Sequence, residues 1–157
     1  MANDFQTNVV QRLIERNLTI TAAESLTAGM FQSTLGDVAG VSAIFPGGFV
    51  TYANDVKHQL VNVKTQTIEQ AGVVSEATAI EMANGARNQL ATDIGVSFTG
   101  VAGPDALEDN PAGTVWIGIS FGKQAPFANV YHFSGDRASI RHQSVAAAFE
   151  LIDAQLN

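Results

Sequence analysis

At 157 residues the chain has the length of one domain able to bury a full hydrophobic core without disulfides or a structural metal. Its net charge of −7, from fifteen acidic against eight basic side chains, excludes a nonspecific nucleic-acid binder, and the lack of cysteine excludes a thiol nucleophile, a cysteine zinc site and a redox role. No apolar run approaches the roughly 18 residues of a membrane span, and the N-terminus, with Asp4 and Gln6, has no basic segment of a secretory signal, so a cytoplasmic protein is expected.

In chain order, Phe5, Val9, Val10, Leu13 and Ile14 recur at helical spacing and predict an amphipathic helix over Phe5–Arg16. Leu18–Ala22, rich in β-branched residues, predicts a strand. It passes through Ala23-Glu24-Ser25-Leu26-Thr27-Ala28-Gly29 into a helix expected from about Thr27 to Leu35. Ser25 thus stands where strand gives way to helix, a position from which the helix's free amides would face an anion or an oxyanion. A lone serine there is most often a helix N-cap, so a nucleophile needs a second, convergent feature.

That feature is Gly47–Lys57, a glycine turn, a strand over Phe49–Tyr52 and polar residues entering a helix. Ligands of open α/β sheets collect outside the carboxyl ends of strands, so neighbouring parallel strands could pair Ser25 with Lys57. Two helical segments are expected next, the second capped by Ser75 and carrying Ala79, Met82, Ala83, Ala86 and Leu90 on one stripe. Ile94–Thr99 reads as a strand entering the turn Gly100–Pro104. Thr114–Phe121 and Ala128–Phe133 read as a late β-hairpin, and a helix closes the chain from about Asp136. Residues 1–157 contain no linker or repeat, so the expected fold is a single α/β domain: a three-layer α/β/α sandwich around a mixed, mostly parallel sheet with a late hairpin.

Several further residues are candidates for the site. Tyr52 could hydrogen-bond Ser25 or Lys57 or stack on a ligand ring, and Asn54 starts a turn or helix beside it. Thr99, Gly100 and Gly103 lie in a turn whose glycines would let backbone amides approach a phosphate or ribose, although most such turns only reverse the chain. Arg137 and Arg141, four apart on one helical face, could grip a phosphate or else pair with surface acids such as Asp136. Ser42 is the rival nucleophile. His58, His132 and His142 lack metal-ligand spacing, so no metal is expected, and the acidic loop Asp105, Glu108 and Asp109 reads as solvated.

Six blocks in register, Thr21–Gly29, Gly48–Lys57, Gly72–Ser75, Thr99–Pro104, Pro111–Trp116 and Phe133–Arg137, resemble the motifs of the CinA C-terminal domain family over nearly the whole chain. The resemblance implies hydrolysis of nicotinamide mononucleotide to nicotinic acid mononucleotide and ammonia, with no cofactor. Ser25, Lys57 and Tyr52 would be the catalytic residues, Ser25 as nucleophile and Lys57 as base, with Thr27, Gly29, Ser42, Asn54, Thr99, Gly100, Gly103, Arg137 and Arg141 binding the substrate. At least a homodimer is implied, and the alternative is a catalytically silent nucleotide-binding or protein-interaction domain of the same family. Where that family commonly carries Cys-Thr-Gly-Gly, this chain has Leu26-Thr27-Ala28-Gly29. A positive φ at Ala28 would bring strain of roughly 1 to 2 kcal/mol.

Overall fold

The computed structural model describes residues 1–157, with strands β1 (Ile20–Glu24), β2 (Phe49–Val50), β3 (Ile94–Gly100), β4 (Thr114–Phe121) and β5 (Phe127–His132) in one sheet of order β2-β1-β3-β4-β5. β1 pairs in parallel with β2 and with β3, whereas β4 is antiparallel to both β3 and β5. Four strands therefore share one direction and β4 alone opposes them. The hairpin falls where the sequence places it, joined by a short turn through Gly122.

The helices are α1 (Asp4–Glu15), α2 (Met30–Gly36), α3 (Asn54–Val61), α4 (Thr65–Ala71), α5 (Glu76–Leu90) and α6 (Arg137–Leu156). α1, α2 and α6 cover one face of the sheet, and α5, flanked by α3 and α4, covers the other. Strand alternation explains the layering. Ile20 and Ala22 of β1, Ile94, Val96 and Phe98 of β3, and Val115, Ile117 and Ile119 of β4 all enter the core with Val9, Leu13, Phe31 and Phe149. Phe31 meets the rings of both Phe98 and Phe149 at centroid distances of 5.3 and 5.0 Å.

The opposite face is built from small residues so that α5 can lie close. The Ser97 hydroxyl donates to the Ala79 carbonyl at 2.6 Å, and a Cβ on Gly118 would come within 2.5 Å of that same oxygen. Ser75 caps α5 by accepting the Thr78 amide, and Asp136 caps α6 by accepting that of Ser139.

Two local expectations differ. Three helices, not two, follow β2, because Asn62 adopts φ +58° and ends α3 before the chain re-enters a helix at Thr65. The helix after Ser25 starts at Met30, not near Thr27, because Ala28 and Gly29 both take positive φ, +48° and +97°.

The connections β1-α2-β2 and β2-α3-α4-α5-β3 send the chain to opposite sides of β1. β1 is thus the strand at which the order reverses, and its carboxyl end opens into a crevice between the departing segments.

Candidate active site

Three strand exits meet in that crevice. β1 delivers Ser25, β2 is followed by Thr51 and Tyr52, and β3 runs into Val101–Pro104. Ser25, Tyr52 and Val101–Pro104, together with Lys57 and Asn54 of α3 and Arg137 of α6, line a cavity of about 410 Å³.

Lys57 is 1% exposed, and its Nζ donates to Ser25 Oγ at 3.2 Å and to the carbonyls of Thr51 and Tyr52 at 2.9 and 3.1 Å. Burial lowers its pKa from 10.5 to about 8, while the negative charge of Glu108 pulls it back upward. A lysine in this setting loses its proton far more readily than one in water, and its acceptors are neutral peptide oxygens. The arrangement can activate a hydroxyl and return a proton to a leaving amine.

Ser25 is not an N-cap. The Glu24 carboxylate, wholly buried, accepts the Phe31 amide at 2.9 Å and the Gln32 amide at 3.0 Å, so the first amides of α2 are already occupied. The expected use of those amides for an oxyanion is corrected on this ground. Glu24 carried a legible signal that the sequence reading passed over: an acidic residue in a strand buried along its whole length must find donors.

The other predicted residues divide into groups. Tyr52 sits at the cavity mouth with its ring exposed, and its hydroxyl accepts from Arg137 Nη2 at 2.8 Å, not from Lys57. Arg137 also donates to the Gly103 carbonyl at 2.6 Å and keeps an exposed edge at the rim. Asn54, Thr99, Gly100 and Gly103 line the cavity, but the Thr99 hydroxyl is committed to the Val73 carbonyl at 2.6 Å. Thr27 and Gly29 lie in the turn behind Ser25 and do not line the cavity, Gly29 serving at φ +97° as the N-cap of α2.

Arg141 does not point at a ligand. Its Nε donates to the Leu26 carbonyl at 2.9 Å and its Nη2 to that of Thr27 at 3.1 Å. Ser42 lies in a 3-10 turn, Val41–Ala43, at the opposite end of the sheet, where Ile44 accepts the amide of Ile20 at the start of β1. It lines a separate hollow with Thr19 and Thr92 and is removed from the constellation.

The acidic loop is not simply solvated. Glu108 accepts the amides of Val73 and Val74 at 3.0 and 2.9 Å, which ties residues 105–110 down over the cavity with Leu107 at its edge. No group of three or more His, Asp or Glu side chains converges as a metal site would require, and no helix is long and apolar enough to cross a membrane.

A family model for the CinA C-terminal domain matches residues 2–156. The chain belongs to the CinA C-terminal domain family. It is 59% identical over 155 residues to a protein named as competence-damage inducible in Lactiplantibacillus plantarum, matching 99% of this chain and 37% of that relative. A second such relative, from Levilactobacillus brevis, is 60% identical over 148 residues, 94% of this chain and 36% of the relative. The chain thus spans little more than a third of these curated relatives. Among solved structures, a CinA superfamily protein from Klebsiella pneumoniae superposes with a TM-score of 0.94 at 32% identity, covering 98% of this chain and 96% of that one. Another from Escherichia coli superposes with a TM-score of 0.91 at 34% identity, covering 98% and 89%. The CinA fold therefore carries the Ser25–Lys57 pair of this chain at the carboxyl end of its central parallel strand.

Proposed function

We propose that this CinA domain hydrolyses the amide of nicotinamide mononucleotide to nicotinic acid mononucleotide and ammonia through an acyl-enzyme on Ser25. The supporting observation is a buried lysine, held by peptide carbonyls, with its Nζ 3.2 Å from the hydroxyl of a serine in a cavity of about 410 Å³. A cavity of this size suits a mononucleotide.

Neutral Lys57 takes the proton of Ser25 as Oγ bonds to the amide carbon, and the carbonyl becomes an oxyanion. When that intermediate collapses, the C–N bond breaks and the lysine's proton leaves with the nitrogen as ammonia. Water then attacks the ester, Lys57 accepts its proton, and the proton returns to Ser25 as the acid departs. Arg137 at the rim is the group placed to meet the phosphate, and Tyr52 beside it offers a ring face to the ligand. With this reading goes a cytoplasmic homodimer or higher homo-oligomer, a stoichiometry that sedimentation checks.

Ammonia release from nicotinamide mononucleotide, compared with Ser25→Ala and Lys57→Ala, tests the reading. Turnover in the wild type and its loss in both variants is expected. No wild-type turnover at high enzyme concentration removes the amidase reading and leaves a nucleotide-binding domain; full activity in Ser25→Ala removes the assigned nucleophile.

A further inference from the structure

The turn that follows Ser25 contains an unusual concentration of unpartnered donors. Leu26 and Thr27 are 3% and 0% exposed, yet neither amide donates to any backbone oxygen, and the Thr27 hydroxyl is also without a partner. Buried amides almost always find acceptors, so two in succession beside a nucleophile need a reason.

The orientation of these amides follows from what holds the carbonyls. The only cis peptide in the chain is Gly103–Pro104, so the peptides of the turn are trans, with N–H and C=O on opposite sides of each plane. The Ser25 carbonyl turns inward to accept the Ala28 amide at 3.0 Å, which sends the Leu26 N–H outward. The Leu26 carbonyl is drawn to Arg141 Nε, which directs the Thr27 N–H away from the guanidinium. Arg141 does not line the cavity, whereas Ser25 and Leu26 do. The α2 amides of Phe31 and Gln32, the obvious rivals, are taken by Glu24.

We propose that Arg141 is a positioning residue that clamps the Leu26 and Thr27 carbonyls, and with them the turn after Ser25, so that the Leu26 amide, at the cavity wall, donates to the oxyanion formed on Ser25. The assignment rests on the amidohydrolase reading and gives Arg141 a role different from phosphate binding. An amide immediately after a nucleophile is well placed to bind the developing charge, since the oxygen grows beside the bond being made. The fork of a guanidinium suits this task because it holds two carbonyls at a fixed separation, which an ammonium cannot do.

The test measures kcat and KM for nicotinamide mononucleotide in Arg141→Ala and Arg141→Lys. Loss of a single oxyanion donor lowers kcat by roughly 100-fold or more, so Arg141→Ala is expected to lose about that much with KM within about twofold. Arg141→Lys, which keeps the charge and most of the stem, is expected to lose about tenfold in kcat and carries the test should the alanine variant fail to fold. Added guanidinium ion is expected to restore part of the activity of Arg141→Ala, and the pH at which activity rises is expected to stay where Lys57 sets it. A tenfold rise in KM with kcat retained would make Arg141 a phosphate ligand and overturn the proposal, as would wild-type kcat in both variants. An inactive wild type would instead remove the amidohydrolase reading itself.

Discussion

The Glu24 carboxylate, buried one residue before Ser25, accepts the Phe31 amide and so ends the competition between capping and chemistry at this strand exit. With both Phe31 and Gln32 amides on Glu24, the neighbouring hydroxyl is left to Lys57. Replacing Glu24 by alanine removes a cap worth about 1 kcal/mol and leaves two donors buried, so a loss of about 2 to 4 kcal/mol is expected in urea unfolding. A change below about 0.5 kcal/mol would show that α2 does not depend on this carboxylate.

Activity should follow the ionisation of Lys57. With a pKa lowered by burial to about 8, only about one lysine in ten is neutral at pH 7. The expected kcat/KM rises about tenfold per pH unit below pH 8 and levels above it. Because Glu108 raises this pKa, Glu108→Gln moves the rising limb to lower pH. A profile flat from pH 6 to 9 would remove Lys57 as the base.

The same depression makes stability pH-dependent. Below about pH 8 both folded and unfolded chains hold the proton and the burial penalty is present in full. Between about 8 and 10.5 the unfolded chain binds more protons than the folded one, so stability from this group rises with pH, by about 3 kcal/mol in all. Lys57→Met should lack this rise. Denaturant titrations at pH 7.5 and 10 on both proteins would expose it as the difference between them, and parallel pH dependences would contradict it.

Ala28 adopts φ +48°, so the turn behind Ser25 forms despite its Cβ. The strain is relieved by Ala28→Gly, which is expected to raise stability by about 1 kcal/mol with activity retained. Calorimetry showing a lower melting temperature for the glycine variant would mean that the alanine is at ease there.

Close packing of α5 supplies a contrasting case. Gly118 has no positive φ, but an added Cβ would lie 2.5 Å from the Ala79 carbonyl oxygen, so Gly118→Ala should cost about 1 to 3 kcal/mol. Unchanged stability would show that α5 can retreat from the sheet without loss.

The parts of the fold legible in the sequence are those governed by local pattern. Alternation in Ile94–Thr99 and Thr114–Phe121 marks strands whose one face meets a hydrophobic core, and Ser75 and Asp136 announce their helices by capping. The start of α2 was hidden because a side chain at the end of β1, seven residues upstream of Phe31, supplies the cap. Among site residues, proximity to strand exits located Ser25 and Lys57 together. It could not distinguish Arg137 from Arg141, which share a helix face but diverge in partner: one reaches Tyr52 and Gly103, the other the Leu26 and Thr27 carbonyls. Ser42 failed as a candidate because a glycine-rich run looks the same at either end of a strand, and only topology tells which end it occupies.

The shortness of β2 has a chemical outcome. Pairing stops at Val50, so the oxygens of Thr51 and Tyr52 are released from the ladder and turn to the ammonium of Lys57. These dipoles hold the lysine in place in either protonation state, whereas a carboxylate counter-ion would trap its proton. Two further residues of pairing would have made a more regular edge and withdrawn these oxygens from Lys57: the sheet ends early, and the buried lysine keeps its acceptors.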